Sequence, residues 1–157
     1  MGVEHHLETS AADARGRVAT FVEGRRVLSW APERLPYDVG SLLKDASFGG
    51  SGRPEQAEAE VGLTGCDAAI AETGSLALLS GPGQSRAVSL LPPLHVAVVR
   101  PTDLWFSMGE FLSAQTGRLA GAACCTFITG PSRTADIELT LTLGVHGPGR
   151  VVVVIGP

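Results

Sequence analysis

The residues of this chain that can do chemistry gather in a few short blocks. In TGPSRTADIE, residues 129 to 138, a strand-like TFIT run stops at Gly130-Pro131, and Ser132, Arg133, Thr134 and Asp136 follow. Gly130 permits a tight turn, and Pro131 sits where a helix can begin. Ser132 or Thr134 can cap that helix, and its free N–H groups would face the crevice at a sheet end, where anions bind. Arg133 can clamp a carboxylate or phosphate through paired hydrogen bonds. The pattern predicts a strand–loop–helix corner holding a small anion. The plainer alternative is a capped helix whose Asp136 complements its dipole.

A second block, IAETGSL, sets Glu72, Thr73 and Ser75 around Gly74, a glycine whose backbone a ligand can approach. A simple β-turn or bulge is the competing reading. Arg86 precedes an apolar strand and can contact an anion, whereas His95, inside that strand, reads as a satisfied core residue. His146 lies among glycines in GVHGPGR and can exchange a proton near neutral pH, or else simply face solvent. His146 and Glu72 are therefore the candidate catalytic groups. Thr73, Gly74, Ser75 and Arg86 are candidate ligand contacts, as are Gly130, Ser132, Arg133, Thr134 and Asp136. Arg86, Arg133 and His146 are expected to converge on one crevice with the 72 to 75 loop.

Bulk properties narrow the classes. The chain has 157 residues, 44% hydrophobic and 5% aromatic, with a net charge of −4, enough for one domain with a core. Lys44 is the only lysine, and no basic patch points to nucleic acid. Cys66, Cys124 and Cys125 form no CxxC and no Cys/His array, so buried free thiols are expected, with no metal or cluster held by this chain alone. His5-His6 reads as a surface strand pair. The N-terminus has no signal-peptide pattern, and the apolar run at 151 to 155 is too short to span a bilayer, which predicts a cytoplasmic protein. There is no GxSxG, Walker A or GxGxxG, and GGSG at 49 to 52 lacks the spacing and leading strand of a nucleotide loop. Self-association into a homo-oligomer is left open by these residues.

The elements that must position these groups alternate. A strand at 3 to 8 leads to a helix capped by Thr9-Ser10, with Ala14, Val18, Phe21 and Val22 at helical spacing. A strand at 25 to 31, a turn at Pro32 and Pro36 and a short helix at 39 to 46 follow. Segment 48 to 56 reads as a flexible linker within a single domain, 1 to 157. Beyond it come a strand at 61 to 64, a short helix at 66 to 70 and strands at 75 to 80 and 94 to 99. A helix at 107 to 117 and a strand at 125 to 129 precede the corner, and RVVVVIG is the last strand. The unbroken apolar strands predict an α/β fold with a mostly parallel sheet and flanking helices.

IAETGS, SRAVSLLPPLHVAVV and FITGPSRTADIELTLTLGVHGPGRVVVVI, in that order, resemble the LUD-domain family, the lactate utilisation protein C group. The likeness is strongest over residues 60 to 156. The family usually shows Ala-Asp-Thr-Gly-Thr where this chain has Ala71-Glu72-Thr73-Gly74-Ser75. Its members are generally longer, with an upstream helical segment and more chain around 48 to 55. The resemblance implies the fold shared by sugar-phosphate isomerases, CoA transferases and formyltetrahydrofolate cyclo-ligase. It also implies a role in oxidising L-lactate to pyruvate beside iron–sulfur oxidoreductase components, which would carry the clusters. The rival expectations are an independent enzyme acting on a phosphorylated sugar, CoA ester or folate, and a non-catalytic assembly subunit.

Overall fold

The computed structural model describes residues 2–134 and 142–157. Strand β1 (Glu4–Leu7) leads to helix α1 (Ala11–Val22). The Ser10 hydroxyl caps α1 by accepting the Asp13 N–H at 3.0 Å, and Ala14, Val18, Phe21 and Val22 bury the stripe predicted for it. Strand β2 (Val27–Ser29) follows, then single 3-10 turns at Pro32–Arg34 and Val39–Leu42. The second turn replaces the helix expected at 39 to 46. Gly40 there sits so close to Pro32 that an added Cβ would lie 2.7 Å from the proline Cβ. Segment 48 to 56, read as a linker, instead holds the end of β3 (Ser47–Phe48) and helix α2 (Arg53–Ala57). GGSG therefore does follow a strand.

Strand β4 (Val61–Thr64) is followed by β5 (Ala68–Ile70) and β6 (Ser75–Ser80). The helix expected at 66 to 70 is thus a strand. Its alanines favour helix locally, but antiparallel pairing of Ala68, Ala69 and Ile70 with Ala77, Leu76 and Ser75 prevails. Helix α3 (Ala87–Leu90), β7 (Leu94–Val99) and β8 (Leu104–Trp105) come next. The helix expected at 107 to 117 breaks at Gln115 into α4 (Met108–Ala114) and α5 (Thr116–Gly121). Strand β9 (Cys124–Ile128), a two-stranded ribbon of β10 (Arg133–Thr134) and β11 (Thr142–Leu143), and β12 (Arg150–Ile155) complete the described elements.

The main sheet has six strands, all parallel, in the order β1-β12-β7-β4-β2-β3. It confirms the α/β reading. β7 and β12 lie inside it, buried on both faces, which is why their sequences show no polar alternation. Each fully buried valine there contributes about 1.5–3 kcal/mol. A second sheet, β8-β5-β6-β9, was not foreseen. It is antiparallel at β5/β6 and β6/β9 and parallel at β5/β8. Leu76 and Leu78 of this sheet join the main core, while Ala68, Ile70 and Ala77 pack with Phe111 in a second core. Asp67 fastens the second sheet to α5: it is 9% exposed, pairs with Arg118 and accepts the Leu79 N–H at 2.8 Å. Arg118→Ala would leave this carboxylate one partner short. Because the arginine is half exposed, a loss of about 1–2 kcal/mol in urea unfolding is expected.

Candidate functional site

The hairpin between β5 and β6 presents AETGS at one end of the second sheet. Gly74 has φ 65°, a left-handed conformation that the tight turn requires. The turn backbone is held by β8 and its extension: Ala71 N–H donates to Trp105 O at 2.9 Å and Glu72 N–H to Phe106 O at 3.0 Å. The Thr73 hydroxyl donates to Ser75 Oγ at 2.7 Å, and Ser75 Oγ lies 2.8 Å from Thr129 Oγ1. Ser75 is buried, while Thr73 and Thr129 are exposed. Because Ser75 accepts from Thr73, its own proton can go to Thr129. That leaves the Thr129 O–H free for a bound oxygen. Glu72 is exposed and makes only its backbone contact in this cluster.

A cavity of about 240 Å³ opens beside this hydroxyl chain, between the hairpin and the β1/β12 edge of the main sheet. Val3, Ala69, Ile70, Leu76, Leu104, Val153 and Ile155 give it apolar walls, and Ser75 and His5 are its polar side chains. His5 and His6 were read together as a surface pair. The structure separates them: His5 reaches this cavity, and His6 lies half-buried 5.8 Å from the Phe21 ring and 2.9 Å from the Glu4 carboxylate.

The strand of the opening motif does end before Gly130, but Ser132–Thr134 do not begin a helix. Arg133 and Thr134 form β10 and pair antiparallel with Leu143 and Thr142. For Arg133 and Thr134 the expected helix is corrected, because ribbon pairing takes up their backbone groups; residues 135–141 of that expectation lie outside the described residues. Ser132 caps no helix. It stitches two loops together: its N–H donates to Pro148 O at 2.8 Å, its carbonyl accepts from Gly144 N–H at 3.0 Å, and its hydroxyl accepts from His146 N–H at 3.2 Å. Asp136 lies outside the described residues. The His146 side chain is exposed.

Arg133 is exposed and lines a second cavity, about 310 Å³, with Pro131, Glu4, Gly149 and Arg150. Arg150 is already engaged. It is paired with Glu4, 3.1 Å from Nε to Oε2, and sits 5.6 Å over the Phe21 ring. Hydrogen bonding to Arg150, and then to His6, holds the Glu4 carboxyl below its usual range. Among the described residues, two guanidinium groups thus face one carboxylate, an excess of positive charge that attracts anions.

Arg86 does not join this region, so the expected convergence fails for it. Its Nη1 lies 3.6 Å from Cys124 Sγ, beside the Ser80 end of β6. Ser75 is at the other end, five residues away, or about 17 Å along a strand. The structure brings together residues 73 to 75, 129 to 133 and 144 to 148, and leaves Arg86 out.

Thr129 and Asp67 were missed as positioned groups. Thr129 had a local signal, a hydroxyl beside the strand-ending Gly130. Asp67 had none. His95 is the core residue it was read as, fully buried with Nε2 2.9 Å from Thr64 Oγ1. The three cysteines are free, Cys66 is buried, and burial pushes its thiol pKa up. Among the described residues no group of three or more His, Cys, Asp or Glu could hold a metal ion, and no helix is long and apolar enough to cross a membrane.

Comparison with known proteins points one way. The sequence model of the LUD domain matches residues 2–155. A lactate utilization protein C from Halalkalibacterium halodurans is 41% identical over 107 residues, covering 64% of this chain and 46% of the relative. A protein of the same name from a Geobacillus species is 36% identical over 171 residues, covering 95% of this chain and 70% of the relative. The chain thus spans less than half of the first relative's length. A crystal structure of a DUF162 family protein from Deinococcus radiodurans superposes with a TM-score of 0.76 at 28% identity, covering 99% of this chain and 88% of that one.

Proposed function

The chain belongs to the LUD-domain family, and from that premise we propose that it serves in lactate utilisation as the component without clusters, binding a small carboxylate at the edge of the main sheet. Relatives bearing the name lactate utilization protein C support the pathway. The observation that carries the ligand class is the Thr73–Ser75–Thr129 hydroxyl chain at an apolar cavity, with a second, cationic cavity lined by Arg133 also against β1 and β12. A short hydroxy acid matches that pairing: its methyl suits the apolar walls, and its carboxylate suits hydroxyl and guanidinium donors.

Oxidising L-lactate to pyruvate releases two electrons and two protons. In this reading the two electrons pass to iron–sulfur partner proteins in the cytoplasm, one proton goes to His146 or Glu72, and the other goes to water. Phe106, 75% exposed, and Leu104, 48% exposed, lie beside the 71 to 74 turn and give a partner apolar surface to cover.

Calorimetry with L-lactate and pyruvate tests the ligand. Saturable binding is expected, weakened about 10- to 100-fold by Arg133→Ala, with the thermal midpoint shifted by no more than about 2 °C. Binding that survives the substitution would remove Arg133 from the site. Reconstitution with the copurified partners tests the role: lactate oxidation at full rate without this chain would sink it.

A further inference from the structure

The cavity beside the 71 to 74 turn is larger and more apolar than lactate requires. Its volume is about 240 Å³. The methyl group of lactate is close in size to a water molecule, whose share of liquid volume is about 30 Å³. Among the described residues, no Lys, Arg, Asp or Glu lines the cavity.

Strand register explains the surplus space. Ala69 of β5 is the ladder partner of Leu76 on β6 and of Leu104 on β8. Directly paired residues project from the same face of a sheet, so the three side chains stand abreast. All three line the cavity, and a small residue between two leucines leaves a slot over β5. The opposite wall belongs to the main sheet. There His5 of β1 pairs with Val153 of β12, with Val3 just before β1 and Ile155 at the end of β12. Ser75, which links the hydroxyl chain to Thr129, starts β6 beside this slot. A carboxylate held at the hydroxyl chain therefore has an uncharged aliphatic slot next to it, which a methyl group leaves mostly unfilled. Each further methylene buried there strengthens binding about four-fold.

On the carboxylate reading of this site, on which the inference rests, we propose that the cavity takes 2-hydroxy acids with a branched aliphatic side chain in preference to lactate, and that Ala69 sets the preference. The same walls discriminate against a second carboxylate in the side chain, because a charge in the slot would lose its water without gaining a partner.

Calorimetry with L-lactate, L-2-hydroxyisocaproate and L-malate tests this. Hydroxyisocaproate, longer than lactate by about three carbons, is expected to bind at one equivalent and at least about ten-fold more tightly, with malate the weakest. Ala69→Leu fills the slot, so the ratio of hydroxyisocaproate to lactate affinity should fall to about one, with the thermal midpoint shifted by no more than about 2 °C. Ala69→Val, a β-branched residue suited to a strand, should narrow the ratio part-way and reads the same effect where the leucine variant does not fold. Hydroxyisocaproate binding no tighter than lactate would overturn the preference while leaving the carboxylate reading intact. So would a ratio that both substitutions leave unchanged, or malate binding more tightly than lactate. Saturable binding of none of the three acids would overturn the carboxylate reading itself, and the preference with it.

Discussion

Lowering the pH from 6.5 to about 4 is expected to cost the protein about 3 kcal/mol through one residue, His95. The ring is fully buried in β7, and Nε2 is taken by the Thr64 hydroxyl. Nδ1 has no partner among the described residues. A second ring proton would therefore be a charge out of water carried by an N–H with no acceptor. Burial accordingly lowers the imidazole from its ordinary 6.5 to about 4. The sign follows from which state binds the proton first. The unfolded chain does, so the stability is complete above pH 6.5 and is lost as pH falls toward 4. Urea unfolding across this window, wild type against His95→Gln, measures the effect. The variant starts less stable but should show a shallower decline on acidification. Parallel curves for the two proteins would show that His95 does not carry the transition.

Phe111→Ala should be more damaging still, at about 3–5 kcal/mol, because a large buried ring is removed from a small core. Phe111 is fully buried and packs with Ala68, Ile70 and Ala77 of the second sheet. Trp105 meets it edge-on at 5.8 Å and Phe127 at 6.4 Å. The three alanine-sized and β-branched neighbours cannot close a hole of that size. The same sheet carries the 71 to 74 turn and its hydroxyl chain, so carboxylate binding should weaken together with stability. Phe111→Leu, which keeps most of the volume, should restore both in large part. A destabilisation under about 1 kcal/mol for the alanine variant would mean that α4 re-packs without the ring.

Much of the scaffold was legible locally. Helix α1 was readable because capping and a buried stripe are short-range features, with Ser10 and Asp13 three residues apart. β7 and β12 were readable because strands buried on both faces need unbroken apolar runs. The hydroxyls of AETGS and the break at Gly130 were visible as types and spacing. Their partners were not: Ser75 meets Thr129 across 54 positions.

The parallel core, the first helix, the resemblance to the LUD domain and the candidate polar blocks are readable from residue order, since each depends on residues within one element or one turn. Long-range packing is what makes Ala68–Ile70 a strand, has Ser132 hold the His146 backbone instead of capping a helix, and puts Arg86 at the far end of β6 from Ser75. The reason is physical. Strand pairing and the direction of an antiparallel ladder are fixed by partners far away in the chain, and their combined packing overrides weak local propensity.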